Sequence, residues 1–144
     1  MEESIVDRIR ETFPMKEVDI RTYSPLTLAY IGDGIFDLVI RTLVVAKGNT
    51  SANQLHRTTS QIVKAHSQAM MAQAIGDVLS PEEADVYRRG RNAKSHTMAK
   101  NASVTDYRSA TGFEALMGYL YLTRQEDRMM ELISYGMEQC HFEA

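Results

Sequence analysis

Leu26-Thr27-Leu28-Ala29-Tyr30-Ile31-Gly32-Asp33-Gly34-Ile35-Phe36-Asp37-Leu38-Val39-Ile40 reads as a helix with almost no polar face. Ser24-Pro25 offers an N-cap followed by a proline at the first helical position, and Lys47-Gly48 offers a stop, so one long helix is expected between them. A helix that is apolar nearly all round is buried on most sides. Two acids interrupt it. Asp33 and Asp37 lie one turn apart and share a face, and like charges at that spacing repel unless a cation or hydrogen-bond donors compensate. Gly32 and Gly34 flank the first acid, although a glycine inside a helix costs about 1 kcal/mol relative to alanine. Something therefore approaches this backbone closely: a partner helix, a second subunit or a ligand. A bound divalent cation would make both charges useful; a capped edge facing solvent is the alternative.

A second stretch has the same character. In Tyr107-Arg108-Ser109-Ala110-Thr111-Gly112-Phe113-Glu114-Ala115-Leu116-Met117-Gly118-Tyr119-Leu120-Tyr121-Leu122, the only group charged at neutral pH from Gly112 onward is Glu114. Gly118, one turn later, would leave room beside that carboxylate. Two buried helices that each carry a lone acid among small residues can bring hard oxygen ligands together for Mg²⁺, which takes one or two carboxylates and keeps several waters. Hydrolysis of a phosphodiester suits such a site, because the metal supplies a hydroxide and neutralises phosphoryl charge. The competing reading pairs Glu114 with Arg108 or another cation as a structural ion pair.

Outward from these two segments the pattern stays helical. Ser4 to about Phe13 forms a first amphipathic helix ended by Pro14. Ser51-Ala52-Asn53-Gln54 is a capping box that starts a helix running into the mid-70s. Ser80-Pro81-Glu82-Glu83 starts another that ends near Gly90; residues 92–104 read as a loop; Thr105-Asp106 caps a helix through about Thr123; and Gln125 to Phe142 gives the last. No segment shows sustained alternation with β-branched enrichment. The expectation is an all-α fold, a bundle of six or seven helices. At 144 residues, with 44% apolar and 24% charged side chains, residues 1–144 are expected to form a single globular domain. The longest apolar run, Leu38 to Ala46, is interrupted by Arg41 and Thr42 and is far shorter than the roughly 20 residues that span a bilayer, so no membrane partner is expected. An acidic N-terminus without a secretion signal, and a single cysteine, Cys140, fit a reducing cytoplasm. Glu138-Gln139-Cys140-His141 has di-iron spacing but occurs once, and His56, His66 and His96 have no metal-ligand spacing.

The net charge of −3 hides a strong asymmetry. Residues 1–40 carry 4 basic and 8 acidic side chains, residues 41–108 carry 10 and 5, and residues 109–144 carry 2 and 6. The basic island is densest at Arg88-Arg89-Gly90-Arg91-Asn92-Ala93-Lys94 and continues through Lys100 to Arg108. Two readings stand: a solvated helix end with its loop, or a surface that contacts phosphates.

The ordered set of motifs resembles a known family. Leu28-Ala29-Tyr30-Ile31-Gly32-Asp33-Gly34-Ile35-Phe36-Asp37 is similar to the signature helix of ribonuclease III catalytic domains, and Phe113-Glu114-Ala115-Leu116-Met117-Gly118 resembles their second acidic motif. Leu55-His56, Ser67-Gln68-Ala69, Arg89-Gly90-Arg91-Asn92-Ala93-Lys94-Ser95 and Tyr107-Arg108 resemble the bacterial Mini-ribonuclease III branch, over about residues 24–135. The resemblance implies a homodimeric, Mg²⁺-dependent endonuclease, with Mn²⁺ able to substitute. It would cut double-stranded RNA to 5′-phosphate and 3′-hydroxyl ends and mature the large-subunit (23S) ribosomal RNA precursor, with assistance from a ribosomal protein left open. Asp33 and Glu114 carry over as catalytic metal ligands. Ala29 and Thr111 stand where full-length ribonuclease III has two further acids, which leaves the metal count open; Asp37 is at best an outer contact. After Thr123 the chain has no room for a separate double-stranded-RNA-binding domain, so the duplex would be held by Arg89, Arg91, Asn92, Lys94, Ser95 and Lys100. An RNA-binding relative with impaired catalysis is the alternative that the two missing acids suggest.

Overall fold

Small residues decide which helix lies at the centre. The computed structural model describes residues 4–93 and 103–144, and among these the regular structure is entirely helical. The α-helices are α1 (Ile5–Thr12), α2 (Pro25–Ala46), α3 (Ala52–Val63), α4 (Ala65–Ile75), α5 (Pro81–Asn92), α6 (Val104–Leu122) and α7 (Glu126–Cys140), with single 3₁₀ turns at Ile20–Thr22 and Gly76–Val78. Helix α6 is the hub. It buries ten of its residues and is packed by α2, α5, α4 and α7. Ala110, Gly112, Ala115 and Gly118 let neighbouring backbones come close, while Phe113, Leu116, Met117 and Leu120 are fully enclosed between them. Phe113 meets Phe36 of α2 edge to face, with ring centroids 5.0 Å apart, the arrangement favoured by the ring quadrupoles. No helix among the described residues is long and apolar enough to cross a membrane.

The expected helix starts hold at α1, α2, α3 and α5, where Ser4, Ser24, Ser51 and Ser80 each accept a hydrogen bond from a backbone N–H three residues on. Only Ser80 completes a capping box, with the Glu83 side chain returning to its backbone; the Gln54 amide goes to Thr58 instead. The cap of α6 is Ser103 rather than Thr105-Asp106, because Ser103 Oγ accepts from the Asp106 N–H.

The largest departure lies between residues 51 and 75. The expected single helix is two, α3 and α4, broken at Lys64, whose ψ of 157° is extended. Neither proline nor glycine makes this break. Side chains from the first turn of α4 make it: Ser67 Oγ donates to the Gln61 carbonyl and Gln68 Nε2 donates to the Val63 carbonyl, closing the end of α3. At the far side of the bundle, Arg128 of α7 binds Glu83 through Nε (2.8 Å) and Nη2 (2.9 Å), and Nη2 also reaches the Val78 carbonyl (2.7 Å). Glu83 is buried, and the guanidinium holds its carboxyl below the usual range against the opposing cost of burial.

Candidate functional site

The register between α2 and α6 is set by two glycines. A Cβ on Gly32 would fall 1.7 Å from the Glu114 carbonyl oxygen, and one on Gly118 would fall 2.0 Å from the Leu28 carbonyl oxygen. The helices therefore touch backbone to backbone, which only glycine at both positions permits. This identifies what approaches Gly32: helix α6 of the same chain. It also reassigns Gly118, whose missing side chain accommodates α2 rather than a ligand beside Glu114. Gly34 meets nothing within 4 Å.

Asp33 follows Gly32 directly, so the same close approach delivers its carboxyl to Glu114. The two side chains are within hydrogen-bonding reach. Asp33 is exposed, whereas Glu114 is partly covered and its carboxyl largely desolvated. Burial, and then the hydrogen bond and charge of Asp33, push the Glu114 carboxyl up to about 8; a hydrogen bond from Gln68 opposes them. Gln68 Nε2 donates to Glu114 Oε2 at 3.4 Å as well as to the Val63 carbonyl at 2.8 Å. Among the described residues no ion pair includes Asp33 or Glu114. No cation among the described residues, Arg108 included, thus forms the alternative structural ion pair with Glu114. Asp37 is engaged elsewhere, with Arg41 one turn on at 2.6 Å.

Two crowded carboxyls without a cationic partner among the described residues, one of them desolvated, fit a divalent ion that brings positive charge. The described residues hold no group of three or more His, Cys, Asp or Glu side chains placed to bind a metal. Ala29 and Thr111 are both buried, and the Thr111 hydroxyl donates back to the Tyr107 carbonyl. A cavity of about 450 Å³ between α4, α5 and α6 is lined by His66, Gln73, Tyr87, Asp106 and Ser109, among others, and by neither acid.

Part of the basic island is carried on a turn of α5 that packs against α6. A Cβ on Gly90 would meet Ala115 Cβ at 2.8 Å and Gly112 Cα at 2.9 Å, so the last turn of α5 is seated against the turn of α6 that carries Glu114. Arg89, Arg91 and Asn92 occupy that turn and are exposed. Lys94, Ser95 and Lys100 lie outside the described residues. The one member of the site that the sequence pattern did not assign a role is Gln68. In the sequence it belongs to the Ser67-Gln68-Ala69 motif, but its chemical role is visible only once the break at Lys64 is known.

The Ribonuclease III domain family model matches residues 26–125. The chain is similar to the Mini-ribonuclease 3 of Enterococcus faecalis, with 52% identity over 123 residues, 84% of this chain and 93% of that protein. It is similar to the Mini-ribonuclease 3 of a Thermoanaerobacter species, with 44% identity over 138 residues, 96% of this chain and 97% of the other. Among solved structures, the crystal structure of a Fusobacterium nucleatum protein superposes with a TM-score of 0.77 at 28% identity, covering 85% of this chain and 94% of that one.

Proposed function

This chain belongs to the ribonuclease III family and is an endoribonuclease of double-stranded RNA, and we propose that it works with a divalent cation, Mg²⁺ or in its place Mn²⁺, held by Asp33 and Glu114. The observation that carries the proposal is the contact between these two acids, one from α2 and one from α6, with no cation of the described chain to balance them. When bound, the ion supplies a hydroxide nucleophile near neutral pH and neutralises charge on the phosphoryl oxygens. The remaining work falls to side chains of the chain itself. Asp33, at the exposed side of the pair, faces the approaching substrate; Glu114 anchors the site from within. Arg89, Arg91 and Asn92, with Lys94, Ser95 and Lys100, bind backbone phosphates and 2′-hydroxyls of an A-form duplex, which is read by shape and backbone more than by bases. Water adds to phosphorus, the bond from phosphorus to the 3′ oxygen breaks, and the products carry a 5′-phosphate and a 3′-hydroxyl.

We propose further that the enzyme acts as a homodimer. Leu26, Tyr30 and Leu38 leave apolar surface along the outer side of α2, Tyr30 being 82% exposed, and Gly34 on the same side leaves open space for another backbone. Its substrate in this proposal is the precursor of 23S ribosomal RNA, supported by the 44–52% identity to Mini-ribonuclease 3 proteins over most of the chain. Purified protein given a defined RNA duplex should cut it with Mg²⁺ and not in chelator. Asp33→Asn and Glu114→Gln should each bind the duplex as the parent does and fail to cut it. Wild-type-like cleavage by either variant would refute the assignment, and an absence of cleavage by the parent protein would favour a purely RNA-binding role.

A further inference from the structure

We infer that Gln68 is a positioning residue: it ties the Glu114 carboxylate to the backbone at the end of α3 and so holds it in the orientation that receives the divalent ion. The inference rests on the reading of Asp33 and Glu114 as the metal-holding pair. Gln68 is 2% exposed, and a buried amide is costly unless its groups are bonded. Its orientation follows from its partners. Nε2 faces two acceptors, the Val63 carbonyl and Glu114 Oε2, and the flipped amide would set oxygen against oxygen at both. The carboxylate is thereby linked through one planar group to a main-chain carbonyl, a far stiffer support than another flexible side chain.

The other end of the same amide points to a ligand independently. Gln68 Oε1 is buried and has no hydrogen-bond partner among the described residues, a condition that costs on the order of 1–3 kcal/mol. A methionine or leucine would fill this space without that cost. The acceptor is accounted for if a water arriving with the hydrated cation donates to it, so that one side chain steadies the carboxylate and the solvent of the loaded site together. Partners of this kind, once removed, typically weaken metal binding by about 10- to 100-fold.

Gln68→Met keeps the volume and removes both polar ends. Mn²⁺ binding, measured by calorimetry or by the electron paramagnetic resonance of the free ion, should weaken at least about tenfold in this variant. The metal concentration for half-maximal cleavage should rise in step, while kcat at saturating metal and KM for the duplex stay near the parent values. Arg128→Leu, which loosens the fold at the opposite end of α5, serves as the stability control and should leave Mn²⁺ affinity unchanged. Affinity of Gln68→Met within about twofold of the parent, or an equal loss in Arg128→Leu, overturns the inference. A parent protein that neither binds Mn²⁺ nor needs a divalent ion overturns the functional reading and this inference together; a parent that does both beside an unaffected Gln68→Met overturns the role of Gln68 alone. Should Gln68→Met not fold, the side-chain ¹⁵N–¹H₂ resonance of Gln68 in the intact protein decides. It should shift as Mg²⁺ is added, and a resonance unmoved at saturating Mg²⁺ overturns the inference.

Discussion

In the metal-free protein, replacing Glu114 by glutamine should stabilise the fold. Its carboxyl ionises near 4.5 in an unfolded chain but near 8 beside Asp33 in this site, so at pH 7 folding must hold a proton that the open chain has released. With about 1.4 kcal/mol for each unit between 4.5 and 7, the penalty is on the order of 3 kcal/mol. Glutamine has the same shape, is neutral, and can turn its oxygen to the Gln68 amide and its own N–H₂ to Asp33. Because the folded value is raised, the carboxyl costs nothing below about pH 4.5. The cost grows as pH rises and levels off above about 8. Differential scanning calorimetry in chelator, at matched protein concentration, should thus show equal melting temperatures for parent and variant near pH 4. Near pH 7 the variant should melt higher by roughly 6–12 °C, taking about 2–4 °C per kcal/mol for a chain of this size. Added Mg²⁺ should raise the parent and leave the variant where it was. A variant that melts at or below the parent at pH 7.5 in chelator would show that the two acids do not crowd each other, and the metal reading would lose its physical basis.

Gly32→Ala places a methyl 1.7 Å from the Glu114 carbonyl oxygen and should cost about 3 kcal/mol or more, seen as a lower denaturation midpoint together with lost cleavage, since α2 must withdraw and take Asp33 with it. Arg128→Leu leaves Glu83 buried without its partner and should cost about 2–3 kcal/mol at pH 7 by denaturant titration. The Glu83 carboxyl is held below its ordinary value, so this contribution is present above about pH 4.5 and disappears as pH falls through the lowered one; the parent and Arg128→Leu curves should converge in acid. Arg89→Ala combined with Arg91→Ala should weaken binding of all duplexes alike and flatten the plot of log affinity against log salt by about one for each phosphate no longer neutralised, as filter binding at several salt concentrations would report.

What could be read from the sequence was whatever depends on residues close together along it. The apolar circumference of α2 and α6 announced two buried helices, and Ser24 announced where α2 starts, whereas the start of α6 at Ser103 was read two residues late, at Thr105-Asp106. Each acid stood out because its neighbours are apolar or small. Their meeting was not legible from spacing alone, since it depends on Gly32 and Gly118 facing each other across two helices far apart in the chain. The same limit explains why Gly34, as odd in sequence as Gly32, has open space in the folded chain: a glycine's purpose is visible only with its neighbour in place.

The break at Lys64 shows the limit most sharply, and it bears on the chemistry. A helix continued through Lys64 would be unremarkable in sequence and would satisfy the Val63 carbonyl with the N–H of Ser67, four residues on. Nothing would then remain for the Gln68 amide to hold at that end. With the chain extended at Lys64, the carbonyl is released to Gln68 Nε2, and the first turn of α4 is turned so that the same nitrogen reaches Glu114. The interruption of α3 and α4 is therefore what gives Glu114 a fixed neighbour. A substitution that rejoined the two helices would be expected to impair the acid pair while adding helix, a combination that circular dichroism and metal titration together can detect.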